Sequence, residues 1–280
     1  MKFFIAFVLI LVASSKIKAC DCNPPKEILE FYSAEYVFYG EIISKDYPKD
    51  SLTYTLTFRV DKHYKNGEQP KFLRFTHPSE GRYIGVFTSC DEHQNVGEKW
   101  LVFAKTYQNR LVFSSMCSNS RSYLTKEMIE LLKTANEFKL GSHFFNYDFS
   151  NLFTYEKPSY NLDSALKKVN SKKFKPDQGV AIMLDIDTNS NILKRNIYDN
   201  PFTRIDKSTK WGLYQVINEK PNRLLNDFEK RMLKFSKKIK NWPVTYFKPT
   251  NEKVNTRKYL TFRIDKKGNL VWSNMVMGIN

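Results

Sequence analysis

Two cysteines separated by one residue, Cys20 and Cys22, follow a segment with the pattern of a cleaved secretory signal. Cleavage after Ala19 would make Cys20 the first residue of the mature chain. The α-amino nitrogen of such a residue and its own carbonyl oxygen can chelate a metal ion together. Because an α-amino group has a pKa of about 8, it becomes neutral easily enough to donate its lone pair. The Cys20 amino terminus is therefore the first candidate for chemistry.

The remaining residues do not form an enzyme motif. The histidines lie apart, without HExxH or His-x-His spacing, and we interpret each as a surface or loop residue: His63, His77, His93 and His143. The chain also lacks a GxSxG motif and a glycine-rich phosphate loop. We therefore expect a protein that is not an enzyme, has no metal site of its own and needs no cofactor.

Residues 1–19 predict export. Lys2 precedes an apolar run from Phe3 to Ala13, which is too short to span a bilayer, and no later segment is long and apolar enough to do so. The four cysteines Cys20, Cys22, Cys90 and Cys117 can form two disulfides in an oxidising compartment, and three pairings are open. We expect a secreted, periplasmic or cell-surface protein.

A lipid anchor is the alternative at Cys20, because a cysteine directly after a cleavage site can be acylated in bacterial lipoproteins. Acylation would leave an odd thiol, and Lys18 is poorly suited to a lipoprotein cleavage motif.

Charge divides the mature chain of 261 residues (280 − 19) into two parts. Residues 20–122 hold all four cysteines and have 13 basic and 13 acidic residues, whereas residues 123–280 have 29 basic and 16 acidic residues, a net charge of +13. We predict a signal at 1–19, a cysteine-containing domain at 20–122, a helix and linker at 123–178 and a basic domain at 179–280.

The basic half predicts an envelope protein or an anionic surface as partner. A solvated lysine-rich face with no binding role is the alternative reading. Export argues against nucleic acid.

The cysteine-containing half has the pattern of a small β-barrel of five to six strands. A helix over Lys26–Ser33 is followed by runs of β-branched and aromatic residues, and Gly40 is a candidate bulge. The predicted strands are Tyr36–Ile43, Leu52–Val60, Lys71–Thr76, Gly97–Lys105 and Arg110–Met116.

The basic half predicts an α+β domain with one helix on an antiparallel sheet. The predicted helices are Thr125–Lys139, Leu162–Val169 and Arg223–Ile239, the last with Leu224, Phe228, Met232 and Phe235 on one stripe. The predicted strands are Gly179–Asp187, Ile192–Tyr198, Tyr259–Ile264 and Leu270–Val276.

Residues 20–121 resemble the inhibitory domain of the tissue inhibitors of metalloproteinases, an OB-fold barrel also called the netrin-like module. The resemblance rests on Cys20-Asp21-Cys22, Cys90, Cys117 and three segments, Ser33–Val37, Phe58–Val60 and Gly97–Val102. It implies the disulfides Cys20–Cys90 and Cys22–Cys117.

The resemblance also implies a role for each residue of the N-terminal ridge, Cys20 to Pro24. The Cys20 amine and carbonyl would occupy the open coordination position of a target protease's catalytic zinc. Asp21 would face the specificity pocket, and Cys22, Asn23 and Pro24 would line the adjoining cleft.

Asp21 and the missing cysteines distinguish this chain from that family. The family favours a small polar residue where Asp21 stands, and an apolar pocket would reject its charge at a cost of several kcal/mol. A third disulfide and the cysteine-rich second subdomain are absent. The alternative is that Cys-Asp-Cys only staples the N-terminus to a barrel, in a non-inhibitory envelope interaction protein that binds through its two domains.

Residues 179–275 resemble the C-terminal domains of TonB-like energy-transducing proteins. The resemblance rests on Leu225–Trp242 followed by Pro243, on residues 248–254 and on the strand at Tyr259–Phe262. It implies a bacterial envelope protein with a protein-binding sheet.

Overall fold

The computed structural model describes residues 22–79, 81–85, 91–145, 152–155, 161–169, 171–198, 205–206, 210–213, 215–216 and 223–274. The chain divides into two compact units, Met1–Asn136 (unit 1) and Glu137–Asn280 (unit 2). Each unit buries apolar side chains of its own. Both units are built mainly of β-strands, which agrees with the expected mixture of β and α+β structure.

Unit 1 contains one antiparallel sheet of five strands, in the order β3-β2-β1-β4-β5. The strands are β1 Tyr36–Asp46, β2 Thr53–His63, β3 Phe72–Pro78, β4 Lys99–Tyr107 and β5 Arg110–Val112, and the helices are α1 Glu27–Ser33, α2 Gly81–Ile84 and α3 Lys126–Thr134. The two end strands, β3 and β5, lie against each other. The sheet is therefore curled into a half-barrel.

Aromatic side chains fill the inside of this curled sheet. Phe58 meets Phe38, Phe75 and Phe113 edge to face, with ring centroids 5.5–5.7 Å apart. These rings alternate along their strands with exposed or half-buried positions, as expected for a sheet with one buried face. The bulge predicted at Gly40 is confirmed, because the register between β1 and β2 shifts at Tyr39/Gly40.

Unit 2 contains a seven-stranded sheet, in which Phe144–Phe145 is the only strand among the described residues that pairs in parallel, with Glu252–Ile264. Its strands are β6 Phe144–Phe145, β7 Phe153–Tyr155, β8 Gly179–Ile186, β9 Ile192–Tyr198, β12 Thr245–Phe247, β13 Glu252–Ile264 and β14 Leu270–Asn274. A separate pair is formed by β10 Ile205–Asp206 and β11 Gln215–Val216. The helices are α4 Leu162–Leu166 and α5 Asp227–Ser236, with a 3-10 turn at Leu140–Ser142. Another 3-10 turn, Ala135–Glu137, spans the boundary between the two units in the chain.

Helix α5 is shorter than the predicted Arg223–Ile239. Asn226 caps it: the Asn226 side chain accepts from the Glu229 backbone N–H, and the Glu229 side chain accepts from the Asn226 backbone N–H. Leu224 therefore precedes the helix and is 94% exposed, so its assignment to the apolar stripe was wrong. The other three members of the stripe are buried against the sheet.

Strand β13 is longer than predicted, since it begins at Glu252 instead of Tyr259. Its first half contains lysine, asparagine and arginine, which lack the usual strand signal. Contacts with the neighbouring strand stabilise this half instead. Arg257 makes a bidentate ion pair with Asp185 on β8, in which Nε lies 2.6 Å from Oδ1 and Nη2 lies 3.0 Å from Oδ2.

None of the described helices is both long and apolar enough to cross a membrane.

Candidate functional site

The N-terminal segment, defined here as Cys22–Pro25, comprises the described part of the predicted ridge, Cys22–Pro24, and the residue that follows it. Cys22 is bonded to Cys117, with their Cα atoms 5.5 Å apart. Asn23 and Pro24 are exposed. Cys20 and Asp21 lie outside the described residues, as does Cys90, and with them the expected Cys20–Cys90 disulfide.

Asn119 holds the end of the N-terminal segment against helix α1. Its side-chain Nδ2 donates to the Pro25 carbonyl at 2.8 Å and to Glu30 Oε2 at 2.6 Å, and its backbone N–H donates to the same Glu30 oxygen at 2.7 Å. Asn119 is only 4% exposed. The segment is therefore fixed by a covalent bond at Cys22 and a hydrogen bond at Pro25.

The carboxyl group of Glu30 is the titratable group nearest to this arrangement. Burial raises its pKa to about 7, although the hydrogen bonds from Asn119 and the positive charge of Lys105 oppose the shift. Desolvation is the largest of these effects, because removing the carboxyl group from water disfavours its charged form.

Glu92 orders the loop that carries Cys117. Its Oε1 accepts from the Ser114 hydroxyl at 2.7 Å and from the Ser115 backbone N–H at 2.8 Å. The Ser114 hydroxyl oxygen in turn accepts from the Cys117 backbone N–H at 3.1 Å. One half-buried carboxylate thus orders the loop to which the N-terminal segment is bonded.

The second oxygen of Glu92 faces His77, which was wrongly expected in a surface loop. His77 lies on β3, is 6% exposed, and stacks on Tyr54 with ring centroids 5.4 Å apart. Its Nδ1 is 3.7 Å from Glu92 Oε2, an oxygen that also accepts from Gln94 Nε2 at 3.1 Å. Burial lowers the pKa of His77, and the Glu92 charge opposes this.

The other histidines are scattered over the fold. His63 Nε2 contacts the Pro70 carbonyl at 3.0 Å in unit 1, His93 is exposed, and His143 in unit 2 stacks on Phe138. Across the described ranges, no cluster of three or more His, Cys, Asp or Glu side chains is arranged to hold a metal ion.

The residues that position the segment were not identified from the sequence. Asn119 and Glu30 are 89 positions apart, and no motif joins them. Glu92 carries one usable signal, its place two residues after Cys90, but a carboxylate near a cysteine is too common to predict a role. Only the folded chain brings Asn119 into contact with Glu30, and Glu92 into contact with the loop of Cys117.

The arrangement suits recognition of a partner by an exposed, rigid segment. A short stretch of chain projects beside a disulfide, and buried polar groups support it from below. In the comparisons with known proteins, neither a protein-family model nor a curated protein matches this chain.

Proposed function

We propose that this protein inhibits a zinc metalloprotease by chelating its catalytic zinc with the α-amino nitrogen and carbonyl oxygen of Cys20. The observation that carries the proposal is the anchoring of the exposed N-terminal segment through the Cys22–Cys117 disulfide. Cys20 is only two residues before this anchor. A chain end held so near to a cross-link can enter a cleft without losing much conformational freedom.

The topology of unit 1 supports an OB-type barrel as the scaffold. Strand β1 pairs with both β2 and β4, and the end strands β3 and β5 meet. A partly open, five-stranded Greek-key barrel requires an antiparallel sheet that curls until its two outermost strands meet. Helix α2 follows β3 and precedes β4 in the chain.

The chemistry of the proposed inhibition follows from the coordination of catalytic zinc. Such a zinc has three protein ligands and an open position that water occupies. A neutral amine with an adjacent carbonyl can displace that water. The hydrogen bonds from Asn119 to Pro25 and Glu30 restrain the chain just after the proposed zinc-binding residue, Cys20.

Asp21 narrows the choice of target. Its carboxylate would enter the protease's specificity pocket, and an apolar pocket would have to desolvate that charge without a partner. A pocket that contains an arginine or a lysine would pair with it. The target class is therefore a zinc metalloprotease with a basic or wide polar specificity pocket.

The experiment is inhibition of a panel of zinc metalloproteases, measured with fluorogenic peptides. Mass spectrometry and N-terminal sequencing first identify preparations whose chain starts at a free Cys20. One alanine is then added before Cys20, which moves the amine away from the carbonyl that completes the chelate. We expect inhibition to weaken at least about 100-fold, because each 1.4 kcal/mol of lost binding free energy weakens binding tenfold.

The control is one alanine inserted after Gly67, in the exposed turn between β2 and β3. It should leave inhibition unchanged. Equal inhibition by the extended and native chains would contradict the chelation mechanism. An acylated or otherwise blocked native Cys20 would do so too, and would favour the envelope interaction protein.

A further inference from the structure

Unit 2 has two adjoining cavities along helix α5, and nearly all the charged side chains that line them are cations. The larger, of about 860 Å³, lies between the start of α5 and residues 173–178, and the smaller, of about 260 Å³, lies between the rest of α5 and residues 165–169. Arg231 lines both. We call the pair the basic cleft.

The basic cleft concentrates positive charge that the fold leaves uncompensated. Its cations are Lys168, Lys173, Lys175, Arg231, Lys234 and Lys238. None of the six forms an ion pair within the part of the chain that the structure describes. Asp227 is the one carboxylate among the lining residues. It lies 3.9 Å from the ammonium group of Lys230, a residue that does not line the cleft.

The shape of the cleft distinguishes it from an evenly solvated lysine surface. Aromatic side chains also line it: Phe174 packs edge-on against the buried Phe228, with centroids 5.1 Å apart, and the buried Phe235 lines the smaller cavity. Charges at the rim of a concave, low-dielectric surface reinforce one another and attract anions more strongly than the same charges on a convex one.

We propose that the basic cleft binds a linear polymer with closely spaced phosphate groups. Five of the six cations are lysines, which bind phosphate as point charges without demanding one orientation. The two cavities follow one another along α5 and share Arg231, so an elongated polyanion can contact both while a small anion contacts one. A membrane would contact the six exposed cations at the rim, whereas a narrow polymer can also enter the two cavities between them, which makes a polymer the better fit. This proposal does not depend on Cys20.

The test uses the full chain and inorganic polyphosphate as the probe, with pyrophosphate as the short competitor. Binding is measured by calorimetry over a range of salt concentrations. We expect the long chain to bind at least about tenfold tighter per molecule than pyrophosphate, because it spans more of the cations. Equal affinity for the two probes would contradict a track for a polymer.

The decisive variant removes three cations from the cleft: Arg231→Gln, Lys234→Gln and Lys238→Gln. The matched control removes three exposed lysines of unit 2 outside it: Lys237→Gln, Lys240→Gln and Lys266→Gln. Both variants lower the net charge by the same amount. We expect the cleft variant to lose about tenfold or more in affinity and about half of the salt dependence, and the control to keep both.

Three results would overturn the proposal. Equal losses in the two variants would show that only net charge matters. No measurable polyphosphate binding at low salt would remove the ligand class. Binding to phosphatidylglycerol vesicles without binding to polyphosphate would assign the charge to a lipid surface instead.

Discussion

At the scale of single residues, Asn119 and Glu30 show how a buried polar pair positions a chain terminus. A carboxyl group taken out of water is costly unless it is hydrogen-bonded or protonated. Glu30 has both options, since Asn119 donates two hydrogen bonds to it and burial raises its pKa to about 7. The same Asn119 side chain holds the Pro25 carbonyl, so the state of Glu30 is coupled to the N-terminal segment.

This coupling predicts a pH dependence of the stability of unit 1. The Glu30 pKa is about 7 in the folded state and near its ordinary value of 4.5 in the unfolded state. Between those values the folded state binds more protons, so the free energy of unfolding falls as pH rises from about 4.5 to above 7. The loss attributable to Glu30 is about 3 kcal/mol, from 1.36 kcal/mol for each pH unit.

The variant Glu30→Gln should remove most of this slope in urea unfolding followed between pH 4.5 and 8. Glu27→Gln, in the first turn of the same helix, is the control and should keep it. A slope that persists unchanged in Glu30→Gln would assign the pH dependence to other groups.

The burial of His77 beside Glu92 could not be predicted from the sequence. A histidine at the end of a strand before a loop gives no sequence signal of burial, because its exposure depends on what folds over it. Here Tyr54 from β2 and Phe113 after β5 enclose the ring. The sequence therefore shows that a histidine stands at position 77 but not which side chains enclose it.

At the scale of secondary-structure elements, the bulge in β1 is the clearest case in which sequence and structure agree. Gly40 stands within a run of β-branched and aromatic residues, a pattern that predicts a bulge or a close approach of backbone. The structure supplies the physical reason: a Cβ atom at residue 40 would lie 2.6 Å from the Arg59 carbonyl oxygen on β2.

We therefore expect Gly40→Ala to destabilise unit 1 by about 1–3 kcal/mol, since two backbones must separate to admit the methyl group. Gly141→Ala is the control, because a Cβ there meets no atom within 4 Å. Thermal unfolding of both variants would check this. A stability of Gly40→Ala equal to that of the native chain would mean that the two strands part at no cost.

The limits of α5 and β13 depended on contacts that a local pattern does not contain. The apolar periodicity of residues 224–235 extends across the true start of α5, and the Asn226 capping box decides where the helix begins. The polar first half of β13 becomes a strand because β8 and β12 flank it and the Asp185–Arg257 ion pair joins it to β8. Period and propensity therefore located both elements but not their ends.

At the scale of the whole molecule, cross-links and charge are segregated. All four cysteines are in the first 136 residues, whereas the basic cleft belongs to unit 2. The Cys22–Cys117 bond joins positions 95 apart in the chain and so closes most of unit 1 into a loop. Such a bond acts chiefly on the unfolded chain, whose freedom it restricts.

The double variant Cys22→Ser with Cys117→Ser should lower the free energy of unfolding of unit 1 by about 2–5 kcal/mol. Hydrogen exchange read by mass spectrometry would show faster exchange in β1–β4. The peptides of unit 2 provide the internal control, since that unit contains no cysteine. Unchanged protection of β1–β4 would contradict a stabilising role for this disulfide.

What the sequence by itself determined were properties carried by local pattern and composition: most strands, the bulge at Gly40, and the contrast between a cysteine-containing half and a basic half. The ridge at Cys20–Pro24 stays a prediction. The tertiary structure decided the Cys22–Cys117 bond among three open pairings, the meeting of β3 with β5, the Glu30–Asn119–Pro25 network and the clustering of six cations around α5. The physical reason is the separation along the chain over which each kind of interaction acts. Periodicity and turn preference act over a few residues, whereas desolvation, ion pairing and cross-links act between groups that only folding brings together.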